Sequence, residues 1–476
     1  MKIKNSLTGK LEPFEPIKSS EVNMYTCGVT VYDDCHIGHA RSLYIFDVMR
    51  RYLEYKGYKV NFVRNITDID DKIINRANEL KIDWKELVEK YIKNYREDLK
   101  SLGVQLGMVD KDGEEPRATK SIEDIKKYIQ VLIDKGYAYA TSTGVYFSVR
   151  KFKDYGKLSG QSIDQMQVGV RKGSDDTKED PLDFALWKSS KPGEPFWPSQ
   201  WGDGRPGWHI ECSVMSTKYL KTDTLDIHAG GRDLIFPHHE NEIAQSEAKS
   251  GKQFAKYWIH HGLLTINAQK MSKSLGNFIT IRDFIEKYKD PDYLKLFFLS
   301  ANYSSPVDYT EEKILEAKKE KERFLILFDK INRVQGSGGR VQEKEKLRPE
   351  IEFKKRFEEA MDDNFNTPAA LASLFDAVTF ANKRIYGQSS FSEQEKQTLY
   401  EMKDNLLTFS HILGLNLSEN ISVEVDSDHI EKLITERNVA RKDKDFKKSD
   451  EIRKKLSDMN IIIEDTKDGT KWRIKV

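Results

Sequence analysis

Between Asn23 and Ile66 the chain reads as strand, turn-rich loop, helix and strand, an order that restricts the fold more than any other feature. Asn23–Met24–Tyr25–Thr26–Cys27 is a short buried-strand pattern, and Gly28 to Gly38 is rich in turn residues. Ala40 to Tyr55 repeats its apolar residues at helical spacing, and Lys59 to Ile66 is strand-like again. Two strands joined through a helix lie parallel, since an antiparallel pair needs only a short hairpin. A helix from about Asp68 to Leu80 continues the alternation. It resumes with a helix near Trp208–Tyr219, a strand at Leu225–His228 and a helix opening at Pro237, a favourable first helical residue because its missing N–H would be an orphan there. The expected fold is therefore α/β, with a Rossmann-like parallel-sheet domain built in two halves.

The interruption, residues 121–206, reads as a connective insertion of helix, hairpin and loop. Its end, Lys191 to Gly207, holds four prolines and four glycines. Beyond about Asp283 the pattern is helical to the end, broken by Gln335–Gly336–Ser337–Gly338–Gly339, a flexible-linker composition, and by a polar gap around Leu415–Asp428. With 476 residues and about 150 per domain, roughly three domains are expected. The boundaries placed on the chain are 1–120 and 207–282 for the two halves, with 121–206 inserted between them. A helical stem-contact region covers 283–334, an α-helical bundle 335–425 and a small C-terminal domain 426–476.

The net charge of +1 does not mark the whole molecule as a nucleic-acid binder, so any such surface needs local segregation of charge. Met1 to Lys18 lacks the apolar core of a signal peptide, and no apolar run approaches the ~18 residues of a membrane span. Three scattered cysteines, Cys27, Cys35 and Cys212, do not make a disulfide framework. They point to a reducing, cytoplasmic setting with thiols used for metal or reactivity.

Three constellations carry chemistry. Cys35–His36–Ile37–Gly38–His39 stands where the first strand gives way to the first helix, so Gly38 allows close backbone approach and the orphan N–H groups attract a phosphate. Two surface histidines with a turn glycine is the plain alternative. Lys270–Met271–Ser272–Lys273–Ser274 puts two lysines three apart in a serine-containing loop, a cationic clamp for a transferring phosphate, or simply a solvated basic loop. His238 and Glu242 lie four apart on the expected helix and share a face. With Cys27 and Cys212 they make a plausible zinc set drawn from distant segments, although free cysteines are often just small buried residues.

The first two constellations match the HIGH and KMSKS signatures of class I aminoacyl-tRNA synthetases. Met24–Tyr25–Thr26–Cys27–Gly28, Asn65–Ile66–Thr67–Asp68–Ile69–Asp70–Asp71–Lys72, Gly207–Trp208–His209–Ile210–Glu211–Cys212–Ser213 and Phe236–Pro237–His238–His239–Glu240–Asn241–Glu242 resemble cysteinyl-tRNA synthetases, and the similarity runs to Thr470–Lys471–Trp472. The resemblance implies a cysteine–tRNA ligase that activates L-cysteine with ATP and transfers it to tRNA(Cys). It implies about one Zn2+ per chain on Cys27, Cys212, His238 and Glu242, with His239 as the neighbouring alternative, and Mg2+ accompanying ATP. His36, His39, Lys270 and Lys273 would serve the phosphates, with Gly38 and Asp233 also at ATP. Asp233 could equally be an ordinary turn residue. Gly28, Thr67 and Trp208 would line the cysteine pocket, and Trp208 could equally anchor a core. Arg437, Arg441, Lys444 and Lys448, spaced four, three and four, would face tRNA from one helix. A monomer without membrane attachment is expected. Lys120–Ser121 and Asn75 depart from the family pattern, away from these motifs. A cysteine ligase acting on an amino sugar, and an inactive RNA-binding paralogue, are the alternatives.

Overall fold

The computed structural model describes residues 1–110, 112–163, 177–334, 349–388, 390–417, 427–458, 461–466 and 469–474. The expected linker at Gln335–Gly339 and most of the polar gap, 418–426, lie outside the described residues. The chain divides into two compact units, Met1–Leu417 and Ser418–Val476.

At the centre of the first unit is a four-stranded sheet in the order Ala255–His261, Leu225–Gly231, Glu21–Thr30, Lys59–Thr67, parallel throughout. Every residue of Leu225–Gly231 is buried, so this strand reads as a short continuous run without alternation. From Glu21–Thr30 the chain first crosses to one side, through the helix Ile37–Tyr55, and only after the insertion returns to the other. That reversal of strand order opens a crevice at the carboxyl ends of Glu21–Thr30 and Leu225–Gly231, the place where such sheets bind ligands.

The insertion forms a four-stranded antiparallel sheet, Ala138–Thr141, Gly144–Phe147, Phe184–Ser189 and Gly204–Pro206, beside the helix Ile122–Asp134. After the parallel core, the helices Glu311–Asn332, Pro349–Asp362, Thr367–Ile385 and Glu393–Ile412 pack on Phe324, Leu327, Phe357, Leu374 and Phe409. The helix Ile37–Tyr55 is tied to this bundle. The Tyr44 hydroxyl donates to the Leu413 carbonyl, and the Tyr52 hydroxyl donates to Asp362 at 2.8 Å.

Three expectations are corrected. The α-helix expected to open at Pro237 begins at Glu240, after a single wide turn over Ile235–His239. The residue before a proline is pushed away from helical backbone, and Phe236 is extended (φ −137°, ψ 134°). The chain is also not helical from Asp283 to its end. Val307–Tyr309 pairs parallel with Leu264–Ile266, and Ile461–Thr466 pairs with Gly469–Ile474 as a terminal hairpin. The β-branched run Ile461–Ile462–Ile463 favours a strand, and Asp468–Gly469 is a hairpin signal in the sequence.

The third correction concerns the basic stripe. In the second unit the helices Ser427–Lys442 and Phe446–Asp458 enclose Ile430, Leu433, Ile434, Ile452 and Leu456. Arg437, Arg441, Lys444 and Lys448 do not share one helical face. Lys444 sits in the turn between the helices at φ 57°, and Lys448 belongs to the second helix, whose start Asp445 caps by accepting the Lys448 N–H at 3.1 Å. Arg437 is only 4% exposed and donates two hydrogen bonds of 2.9 Å to Asp465, which also receives Arg441 at 2.6 Å.

Candidate active site and metal cluster

Cys27 lies near the carboxyl end of the strand Glu21–Thr30, and Cys212 in the first turns of the helix Trp208–Leu220. His238 comes from the wide turn before Glu240, and Glu242 from the helix that follows. Folding brings all four ligand atoms within 4.8 Å of one another. The Sγ atoms of Cys27 and Cys212 are 3.9 Å apart, Cys27 Sγ is 3.5 Å from Glu242 Oε1, and His238 Nε2 is 3.0 Å from the same oxygen. Ligands on one tetrahedral zinc lie about 3.3 to 3.8 Å apart, given bonds of about 2.0 to 2.3 Å. The donor set therefore fits a single tetrahedral ion. Cys27, His228, His239 and Glu242 form a second set of the same compactness, so His239 is also within reach.

The surroundings orient these groups. His238 keeps Nδ1 against His209 Nδ1 at 2.8 Å, His228 Nε2 holds the other Glu242 oxygen at 2.8 Å, and His239 Nδ1 meets His260 Nε2 at 2.8 Å. Burial pushes the Cys27 thiol well up, reinforced by its neighbour Cys212. The hydrogen bond from Cys27, helped by His238, brings Cys212 down to about 6 against the opposing effect of burial. Burial works against ionisation of both His238 and Glu242. Their attraction outweighs it, holding His238 up at about 10 and, together with His228, Glu242 down at about 2. Two sulfurs, an imidazole and a carboxylate brought this close, with Cys212 and Glu242 favoured in their charged forms, make a donor set suited to a divalent cation.

The remaining expected pocket residues gather here. Gly28 comes so close to the next strand that a Cβ would fall 1.6 Å from the Asn65 carbonyl oxygen. Its N–H donates to Asn65 Oδ1 at 2.9 Å. Thr67 is buried at the end of Lys59–Thr67. Trp208 is 37% exposed and stacks on His238 with ring centroids 4.1 Å apart, which removes the core-anchor reading. Asn65, His209, Glu211, His228 and His260 were not singled out from the sequence, although Asn65, His209 and Glu211 stand inside motifs quoted above.

The HIGH segment caps the helix Ile37–Tyr55 with its own histidines. The His39 N–H donates to His36 Nδ1 at 3.2 Å, the His36 N–H donates to His39 Nδ1 at 3.3 Å, and the rings stack at 3.7 Å. Burial lowers His36 to about 4 and His39 well below its usual value, the latter helped by His36 itself. Both are therefore neutral near pH 7, with Nδ1 accepting and Nε2 left as the N–H donor. A Cβ at Gly38 would meet the His36 ring at 2.8 Å.

The KMSKS loop lies against this helix start, with the Ile37 N–H donating to the Ile279 carbonyl at 3.1 Å. Lys273 ion-pairs with Asp33 and lies 5.0 Å from the Phe278 ring centre, while Lys270 is exposed. Asp233 stands exposed just after Leu225–Gly231, and its carboxylate lies 2.4 Å from where a Gly231 Cβ would be. All the expected phosphate and cysteine residues thus lie in the first unit; the four expected tRNA contacts lie in the second.

Residues 13–319 match the family model "tRNA synthetases class I (C) catalytic domain". Residues 356–418 match a DALR domain, and 427–473 a cysteinyl-tRNA ligase anticodon binding domain. The chain is 48% identical over 494 residues to a cysteine–tRNA ligase of Thermodesulfovibrio yellowstonii, and 50% identical over 492 to one of Persephonella marina, with 100% of each chain covered in both. In architecture it is similar to a Mycobacterium tuberculosis methionyl-tRNA synthetase solved with methionyl-adenylate (TM-score 0.58, 14% identity, 83% of this chain and 89% of that one).

Proposed function

This chain belongs to the cysteine–tRNA ligases, ATP-dependent class I aminoacyl-tRNA synthetases, and on that premise we propose that Cys27, Cys212, His238 and Glu242 hold a zinc ion that selects the substrate by its sulfur. The observation that carries this reading is the convergence of two cysteines, a histidine and a glutamate near the carboxyl end of the strand Glu21–Thr30. We favour this set over the one with His228 and His239 because it supplies two sulfur donors, and zinc prefers thiolate. Cysteine and serine differ by one atom, and a pocket sensing only size gains about 1 to 3 kcal/mol from so small a difference. Zinc, when bound, supplies a soft acceptor that takes a thiolate and matches a hydroxyl poorly.

The protein residues act by position. A carboxylate attacking the α-phosphorus of ATP needs no protein nucleophile, so the barrier falls through alignment and charge stabilisation. His36 and His39 present neutral Nε2–H donors to the phosphates from the helix start. Lys270 and Lys273 provide the cations, Lys273 exchanging Asp33 for phosphate, and Asp233 is our candidate for the ribose hydroxyls. Mg2+ accompanies ATP. The second unit is assigned to tRNA(Cys) recognition, a task for which an amino-sugar ligase has no use.

The deciding measurement is cysteine-dependent pyrophosphate exchange, followed by charging of tRNA(Cys), before and after chelation of metal. Loss of exchange on chelation and its return with Zn2+ is the expected result. Undiminished discrimination against serine in fully metal-free protein would remove zinc from selectivity.

A further inference from the structure

We propose that Glu211 binds the α-ammonium group of the amino-acid substrate, forming with Thr67 a backbone-recognition subsite beside the sulfur-binding cluster. This inference rests on the reading of the crevice as a cysteine-activating centre.

Glu211 is the outstanding unsatisfied group of the site. It is 0% exposed, and neither carboxyl oxygen has a hydrogen-bond partner among the described residues. Native structures hydrogen-bond the great majority of their buried polar atoms, so two orphaned oxygens on one acid require an explanation. Burial penalises its charge, and Cys212, Asp68 and Asp70 repel it further. The two aspartates are already engaged. Asp68 accepts the Thr119 N–H at 2.9 Å and the Thr119 hydroxyl, while Asp70 accepts the Lys72 N–H at 2.9 Å at the start of a helix. Only Glu211 among the three keeps both oxygens for something else.

Its position says what that is. Glu211 follows Trp208 by three residues on one helix, so the two share a face, and Trp208 stacks on His238 of the metal cluster. It immediately precedes Cys212, with consecutive Cα atoms about 3.8 Å apart. Thr67, at the strand end that opens on the crevice, is the neighbour whose hydroxyl favours the charged form of Glu211, against the effect of burial. In cysteine the sulfur and the ammonium nitrogen are three bonds apart, about 3 to 4 Å. A substrate held by its sulfur must therefore place its ammonium next to the cluster. A compact cation with three donors suits a carboxylate and a hydroxyl, and in a water-poor pocket the pairing is strong.

The test compares cysteine with 3-mercaptopropionate, which keeps the thiol and carboxylate and lacks the amino group. With zinc-loaded, full-length enzyme, KM for cysteine in pyrophosphate exchange is measured beside the inhibition constant of the analogue. Glu211→Gln, which keeps shape and removes charge, should raise KM for cysteine at least about thirtyfold. KM for ATP, zinc content and the inhibition constant of the analogue should stay within about twofold. Glu211→Asp should recover part of the loss, because the charge returns one methylene short. An unchanged ratio between cysteine and analogue in Glu211→Gln overturns the proposal and leaves the residue a structural role. Should the Gln variant not fold, the Asp variant and wild type decide alone: cysteine and analogue binding within about threefold of each other in wild type also overturns it. Failure of the wild type to activate cysteine would instead defeat the functional reading on which the proposal rests.

Discussion

At the scale of single residues, similar side chains differ through their surroundings. Cys27 and Cys35 are both thiols of the first unit, but only Cys27 has Cys212 and Glu242 beside it. Cys35 is buried near Asp98 and Asp34, and burial together with those carboxylates keeps it a thiol. Cys27→Ser should therefore lose most of the bound zinc, whereas Cys35→Ser should retain it; elemental analysis of the two purified variants decides, and the reverse pattern would sink the assignment. Lys273 meets developing phosphate charge in the assigned mechanism, so its loss should act on rate more than on binding. Lys273→Ala is expected to slow pyrophosphate exchange by roughly 10³-fold while leaving zinc content unchanged. Exchange near the wild-type rate would refute that role. Because burial holds His36 down at about 4 and His39 well below its usual value, neither should impose an ionisation on the exchange rate between pH 6 and 8. A clear step near 6.5 that disappears in His36→Gln would show that the histidine works as a cation.

At the scale of elements, the corrected basic stripe changes what its mutation means. Arg437 bridges its helix to the terminal hairpin through Asp465 and is almost wholly buried. Reversing it leaves two carboxyl groups facing each other with one desolvated, a change of the kind that costs about 3 to 5 kcal/mol. Arg437→Glu should unfold the second unit, seen as loss of its thermal transition. Lys444→Glu and Lys448→Glu should leave that transition in place and weaken only tRNA binding. The hydrogen bonds from Arg437 and Thr470 hold Asp465 well below the usual carboxylate range. A depressed folded pKa gives stability that is complete above the unfolded value of about 3.9 and is lost as the pH falls below it. The second unit should therefore loosen below about pH 4, and Asp465→Asn should remove that acid sensitivity in a circular-dichroism titration.

At the scale of the molecule, every residue assigned to ATP, metal and cysteine belongs to Met1–Leu417. A chain ending near residue 425 should bind zinc and activate cysteine while charging tRNA(Cys) poorly. Its tRNA affinity should also fall less steeply with salt, since fewer phosphate contacts release fewer counterions. Charging at the wild-type rate by this shortened protein would show that the second unit does not read tRNA.

The sequence by itself determined the parallel α/β core, because strand, helix and strand in that order can only cross over, and it marked the HIGH and KMSKS segments, whose chemistry is local to a few adjacent residues. Local rules failed where distant segments overrule them. The late start of the helix at Glu240 is written in Phe236–Pro237, but the terminal hairpin needed a partner strand to be recognised. Arg437 reads as one more solvated cation until Asp465, 28 residues away, closes on it. The metal cluster is the strongest case. Spacing could pair His238 with Glu242, but only the sheet order, which sets Leu225–Gly231 beside Glu21–Thr30, carries Cys27, Cys212 and the histidines into one crevice. Glu211 stayed hidden for the same reason: an acid in a first helical turn is ordinary in sequence, and only tertiary packing buries it with neither oxygen hydrogen-bonded among the described residues.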